Sequence, residues 1–255
     1  MEAMRNDQGR VDCLGARRTH VPPLLRPNHR GELREVRGDA VKPYYERDGI
    51  TIYHGDCREM LGDIRADVLV TDPPYGVGFQ GKNTKHTSRA KQGYISGDDA
   101  EVGPHVVGIA IQSVIRGLVF SGTRIMFDYP KPYDVGCVYC PSGAGNGRWG
   151  WTVFHPVLFY GKAKTGGSTP AGMESFALAG ETGHPCAKPV RWMLWAVEKA
   201  SLQCEVVLDP FAGSGTTLAA AAVLGRRAIG IEIEERYCEI AAKRLSQRVM
   251  FGAQS

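Results

Sequence analysis

Hydrophobic and polar residues along this chain alternate in two registers, and the registers predict its elements. Ile50–His54 alternates as a strand, and Cys57–Ile64 fits a short helix after it. Asp67–Thr71 is a continuous apolar run of the kind found in buried parallel strands. Val102–Leu118 is apolar over a helical length and is followed by an expected strand, Arg124–Asp128. Trp151–Tyr160 alternates again. Pro189 stands at a helix start, where its missing N–H costs nothing. Val190, Met193, Leu194 and Val197 then recur at i, i+3, i+4 and i+7, which makes one apolar face. Glu205–Asp209 reads as a strand, Thr216–Leu224 as a helix closed by Gly225, Arg227–Ile233 as a strand and Glu234–Arg248 as the last helix. Residues 129–150 and 163–183 read as loops. Residues 1–45 have no steady period and read as a basic, disordered arm, with order beginning near Gly49. Strands alternating with helices predict an α/β fold: a mostly parallel, doubly wound sheet with helices on both faces.

Composition narrows this picture. A chain of 255 residues with 43% hydrophobic content suits one α/β domain with appendages. No apolar run approaches the ~20 residues that span a bilayer. The start carries no apolar h-region, so the reading is cytoplasmic with no membrane partner. Seven cysteines are scattered and odd in number, which suits reduced thiols better than a disulfide framework. Cys137 and Cys140 form a CxxC that no second pair follows, so no metal is expected. The net charge is +4, of which residues 1–42 carry +3. Lys82, Lys85, Arg89 and Lys91 fall within residues 79–92, a stretch with no acid. Such an excess suits phosphate contacts; the plain alternative is a solvated loop.

Two strings carry chemistry. In Leu208–Thr217 a strand ends in a glycine-rich turn that opens a helix. Gly213 and Gly215 let backbone approach a ligand, and N–H groups at the helix start bind a polar or anionic group. Glu232 ends the next strand, where dinucleotide folds place an acid for ribose hydroxyls. Alone, the turn fits any nucleotide or none. In Thr71–Gly76 a buried strand ends in Asp72, Pro73, Pro74 and Tyr75. Alone, that is a Pro-Pro turn with an aromatic.

Together these strings resemble the cofactor and catalytic motifs of S-adenosylmethionine-dependent DNA amino-methyltransferases, the adenine-N6 and cytosine-N4 family. Their order, catalytic motif first, resembles the permuted β class. His184-Pro185-Cys186-Ala187-Lys188-Pro189 is similar to the family's His-Pro-x-x-Lys-Pro motif, with Cys-Ala where Thr-Gln is frequent. The resemblance covers residues 48–248. It implies a Rossmann-like methyltransferase fold within residues 46–255: a catalytic half over 48–162, a short target-recognition loop over 163–183 and a cofactor half over 184–248. It assigns Asp209 to the methionine amino group and Glu232 to the ribose. Pro210, Phe211, Gly213, Gly215 and Thr216 line the cofactor, and Lys188 completes the methionine pocket. Asp56 either borders the cofactor or caps the helix after it.

The resemblance also implies the reaction. An exocyclic amine is a weak nucleophile because its lone pair is delocalised into the ring. Asp72 and the Pro73 carbonyl accept its N–H bonds, the prolines hold the turn, and Tyr75 stacks on an extruded base. The expected activity is site-specific methylation of double-stranded DNA, as in restriction-modification, by a monomer or homodimer. Asp-Pro-Pro-Tyr favours adenine N6; Ser-Pro-Pro-Tyr is the usual cytosine form. The alternatives are cytosine N4, an amine in RNA or protein, and an inactive nucleic-acid-binding subunit. Intact Asp72, Tyr75, Gly213 and Glu232 argue against inactivity. A nucleotide-dependent oxidoreductase has no use for Asp-Pro-Pro-Tyr. His155 reads as structural, and Trp149 and Trp151 either line a DNA surface or pack in the core.

Overall fold

The computed structural model describes residues 26–27, 33–34, 42–75, 101–141, 143, 145–147, 149–164, 170–175 and 188–251. It divides into Met1–Lys42 and Pro43–Ser255. In the first unit, β1 (Arg26–Pro27) and β2 (Leu33–Arg34) pair antiparallel, inside the segment expected to be a disordered arm.

The second unit runs β3 (Tyr45–Arg47), β4 (Ile50–His54), α1 (Cys57–Met60), β5 (Val68–Thr71), α2 (Val102–Ala110), β6 (Arg116–Phe120) and β7 (Asp134–Tyr139). It continues through β8 (Gly145–Gly147), β9 (Gly150–Thr152), β10 (Phe154–Gly161), β11 (Gly172–Glu174), α3 (Val190–Ala200), β12 (Val206–Asp209), α4 (Thr216–Val223), β13 (Arg227–Glu232) and α5 (Glu235–Phe251). Nine strands form one sheet in the order β11-β7-β10-β6-β5-β12-β13-β4-β3. The five from β6 to β4 are parallel. β10 runs antiparallel to β6 and β7, and β3 antiparallel to β4.

β5 and β12 lie at the centre, and every residue of both is buried. A strand covered on both faces needs apolar residues on both, which is why these two read as unbroken runs. Val68 and Val70 pack with Trp192, Met193 and Val197 of α3 and Leu218 of α4. Leu69 packs on the opposite face with Val106, Val107 and Ala110 of α2 and Cys57 of α1. The doubly wound expectation holds.

Several expected boundaries move. The helix expected over Val102–Leu118 stops at Ala110. Gln112 Nε2 and Ser113 Oγ donate to the carbonyls of Gly108 and Ala110, giving its last turn polar side-chain partners. Residues 116–120 become β6 instead, because the parallel sheet takes Leu118, Val119 and Phe120 as a fully buried strand. The expected strand Arg124–Asp128 is a run of turns, closed by Ile125 N to Gly122 O and Asp128 N to Ile125 O. Both expected loops contain strands. β7 lies within 129–150 and β11 within 163–183, and they pair with each other. A Cβ on Gly136 would lie 1.7 Å from the Ala171 carbonyl oxygen, so the backbones meet where a side chain would not fit. The glycines that disguise these strands are what lets them pair.

Among the described cysteines, Cys57, Cys137, Cys140 and Cys238 are free, whereas Cys204 is disulfide-bonded, which departs from the expected reduced thiols. Among the described residues, no helix is long and apolar enough to cross a membrane. No group of three or more His, Cys, Asp or Glu among them is placed to hold a metal ion.

Candidate active site

From β5 the chain proceeds through α2 to β6 on one side; from β12 it proceeds through α4 to β13 on the other. The two strands are parallel neighbours, so the segments leaving their carboxyl ends part and open a crevice. In open α/β sheets this switch point is where ligands bind. Both motifs sit there.

Asp72 leaves β5 half-buried between two partners. Tyr75 donates its hydroxyl to Asp72 Oδ1, and Lys188 Nζ lies 3.1 Å from Oδ2. The same ammonium stands 4.9 Å from the centroid of the Tyr75 ring. Lys188 is only 9% exposed, so this charge is held rather than solvated. An ionised carboxylate has about four lone-pair sites, so Asp72 keeps acceptor capacity. Behind it, Gly103 seats α2 on the turn. A Cβ there would lie 2.8 Å from Tyr129 Oη, 3.0 Å from Pro73 Cβ and 3.1 Å from the Pro74 carbonyl. Gly122 backs Tyr75 in the same way, 3.4 Å from ring to Cβ position. The Tyr129 hydroxyl is buried with no hydrogen-bond partner among the described residues. Burial, reinforced by the Asp72 charge, holds its pKa well above the ordinary tyrosine value.

The cofactor motif is tied to this turn through the sheet. Thr71 Oγ1 donates to Asp209 Oδ1 at 2.7 Å, and the Phe211 N–H donates to the same oxygen at 3.1 Å. Asp209 is 2% exposed, and burial pushes its pKa up to about 6 against hydrogen bonds from Thr217, Thr71 and Phe211. The glycine turn follows, with Gly213 at φ +51 and Gly215 at φ +75, conformations that favour glycine. Gly213 N–H donates to Glu232 Oε2 and Glu234 N–H to Oε1, each at 2.8 Å, so the acid closing β13 grips the loop closing β12. Burial raises the Glu232 pKa. Gly215 faces α5: its Cβ would lie 2.7 Å from Ala241 Cβ, which makes it a packing glycine. Thr216 Oγ1 accepts from Arg244 at 2.9 Å, Pro210 is buried, and Phe211 packs partly buried against Leu208 and Ile231. Asp56 caps α1, accepting from the Arg58 N–H at 2.9 Å and pairing with its guanidinium, while Gly55 N–H donates to the Glu232 carbonyl.

The family model described as DNA methylase, for N6/N4 methyltransferases, matches residues 145–243. The Type II methyltransferase M.ScaI of Streptomyces caespitosus is 26% identical over 267 positions, covering 84% of this chain and 86% of that one. By both comparisons the chain is similar to the N6/N4 DNA methylases. Two solved structures share its fold. M1.HpyAVI in complex with SAM superposes with a TM-score of 0.55 at 23% identity, covering 77% of this chain and 98% of that one. The cytosine-N4-specific PvuII DNA methyltransferase superposes with a TM-score of 0.60 at 15% identity, covering 80% and 88%.

Asp72 through Tyr75, Asp209, Pro210, Phe211, Gly213, Gly215, Thr216 and Glu232 gather at the carboxyl ends of β5, β12 and β13 or on the segments that follow, and Lys188 reaches Asp72 from just before α3. Asp56 borders them on its own cap. Lys82, Lys85, Arg89, Lys91, Gly76 and His184–Ala187 lie outside the described residues. Sequence reasoning missed Thr71, Gly103, Gly122 and Tyr129, which shape the site from behind. Their signal is a tertiary contact, although Thr71, a polar residue ending a buried apolar run, was visible. His155 packs against Trp192 with ring centroids 5.0 Å apart. Burial, then the Lys188 charge, pushes its pKa down to about 4, so it is neutral at physiological pH. A cleft of about 1100 Å³, lined by Arg116, Tyr133, Phe159, Lys164 and Trp195, lies at the opposite end of the sheet, where β6 begins and β10 ends.

Proposed function

We propose that this protein is an S-adenosylmethionine-dependent DNA methyltransferase, that it transfers a methyl group to the exocyclic amine of a base extruded from double-stranded DNA, and that the acceptor is adenine N6. One observation carries the reading: the 2.7 Å bond from Thr71 to Asp209 joins the residue before Asp72 to the first acid of the glycine turn. The turn that receives the base and the turn that receives the cofactor are thus built against each other. Bound S-adenosylmethionine supplies an electrophilic methyl group on a sulfonium. The residues fit it. Asp209 is a buried carboxylate whose bonded partners are all neutral donors, which suits the methionine ammonium. The Gly213 turn leaves room for backbone approach, and Glu232 retains lone pairs for ribose hydroxyls.

At the base, Asp72 and the Pro73 carbonyl accept the two N–H bonds of the amine. Its lone pair is then released from the ring and directed at the methyl group. Tyr75 and Lys188 fix the carboxylate before the base arrives, and the Tyr75 ring offers a stacking face. Catalysis is positioning and electrostatics. The alkylated amine sheds its proton afterwards. An acid rather than a serine before Pro-Pro-Tyr favours adenine over cytosine. Lys82, Lys85, Arg89 and Lys91, which follow the catalytic turn in the chain, are assigned to the DNA phosphates.

Asp72→Ala tests this. Losing one such acceptor costs roughly 3 kcal/mol, or over a hundredfold in rate. Methyl transfer should fall by at least that factor, while calorimetry shows unchanged S-adenosylmethionine affinity. Near-normal turnover would remove Asp72 from the mechanism.

A further inference from the structure

The most conspicuous unburied feature of the described residues is a pair of tryptophans on a β-ribbon. β7 and β10 pair from Asp134↔Phe159 to Tyr139↔Phe154. The ladder continues with Cys140 N donating to Val153 O at 2.6 Å. Past that bond, β8 and β9 pair through Asn146↔Trp151 and Gly147↔Gly150. This second pair follows the first on the same two chain segments, after a turn in which the Gly143 N–H donates to the Cys140 carbonyl, and Trp149 stands between its strands. Trp149 is fully exposed at 103% and Trp151 is 78% exposed, which excludes core packing for both.

The ribbon leaves the sheet at the catalytic end. Val157 of β10 pairs with Phe120, the last residue of β6, and β6 runs parallel to β5 with Val119 beside Thr71. Electrostatics places its base at the site as well. The charges of Lys188 and Asp72 both act on His155 of β10, and that of Lys188 acts on Cys140. Tyr139 and Phe154, at the foot of the ribbon, are 44% and 39% exposed. A wholly solvated tryptophan forfeits one of the largest apolar burials a side chain offers, and clustered exposure of this kind marks an interaction surface.

We infer that the ribbon is a duplex-contacting arm. Trp149 and Trp151 stack on the bases flanking the extruded nucleotide and cover the gap it leaves. This rests on the proposed function, because it takes double-stranded DNA as the occupant of the crevice. The continuity of ribbon and site argues for that occupant. A base delivered to Asp72 brings its flanking pairs to the crevice mouth, at the end of the sheet where the strands leading to the ribbon leave it. A two-stranded ribbon also fits the major groove, and indole stacks on any base.

The test uses the full chain, a duplex that the wild type methylates, and the variants Trp149→Ala, Trp151→Ala and the double. Both positions are exposed, so thermal unfolding and S-adenosylmethionine affinity should match wild type. Duplex affinity by fluorescence anisotropy should fall at least tenfold in the double variant. Single-turnover methylation should fall on the paired duplex and recover on one mispaired at the target, where extrusion costs less. Wild-type duplex affinity and rate in the double variant would overturn the arm while leaving the proposed function standing. Failure of the wild type to bind or methylate any duplex would overturn the proposed function and the arm with it.

Discussion

Asp72 is oriented from both sides before a base arrives, by the Tyr75 hydroxyl on one oxygen and the Lys188 ammonium on the other. The proposed function thus gives Tyr75 two roles, a stacking face and a hydrogen bond to the carboxylate, and substitutions separate them. Tyr75→Ala loses both and should slow methylation most on fully paired DNA, since stacking is worth ~1–3 kcal/mol per base. Tyr75→Phe keeps the face and loses a bond to a charged group, worth about 1.5–3 kcal/mol, so its rate should fall between wild type and Ala on paired and mispaired duplexes alike. A Phe variant equal to wild type would mean that the hydroxyl orients nothing. Asp209 sets a pH dependence. Its folded pKa of about 6 lies above the ordinary 3.8, so the folded chain binds this proton more tightly than the unfolded chain. Its contribution to stability is full below about 4 and is lost as pH rises through about 6. Cofactor binding runs the other way, because an ammonium needs the ionised acid. The Kd for S-adenosylmethionine should be flat above about pH 6 and weaken by up to tenfold per unit below it. Asp209→Asn should bind weakly with no such slope. Calorimetry from pH 5 to 8 decides; a level wild-type profile would contradict the assignment. The residues assigned to the site were legible because they stand in two short strings, Thr71–Gly76 and Leu208–Thr217, each following an apolar strand. The Lys188–Asp72 pair was not, because two motifs far apart in the chain meet only through the sheet.

At the scale of elements, α2 and the turn after β6 are the mould behind the catalytic turn. Gly103 lets α2 come within contact distance of Pro73, Pro74 and Tyr129. Gly103→Ala puts a methyl into that contact, and overpacking of this kind costs about 1–3 kcal/mol. The expected outcome is a lower unfolding temperature and a methylation rate reduced roughly tenfold, with S-adenosylmethionine affinity unchanged because α4 and the glycine turn are untouched. Wild-type values for both would show that the helix does not set the turn. Elements with a strong period were placed from sequence within a few residues: β4, β5, α3, β12, α4 and β13. Those misread share a cause. β6 is apolar throughout, and a run of that kind reads equally as buried helix or buried strand. β7 and β11 carry Gly136 and Gly172, which weaken any strand signal yet are required where the two backbones approach.

At the scale of the molecule, one sheet places side by side the two turns that the proposed function assigns to base and cofactor, with the Thr71–Asp209 bond as the seam. β5 and β12 part at the switch point, the Asp72 turn and the glycine turn leave their adjoining ends, and the strands that lead to the β8–β9 pair leave the sheet at the same end. The doubly wound fold followed from the alternation of elements. The antiparallel pairing of β10 with β7 did not, because the alternation of Trp151–Tyr160 gives a strand without a direction and Gly136 weakens the signal of β7. The most direct measurement is the product itself. DNA incubated with the protein and methyl-labelled S-adenosylmethionine is digested, and its nucleosides are identified by mass spectrometry. Label on adenine N6 with the wild type, and none with Asp72→Ala, is the predicted result. DNA that carries no labelled amine, or carries as much with Asp72→Ala as with wild type, would contradict it.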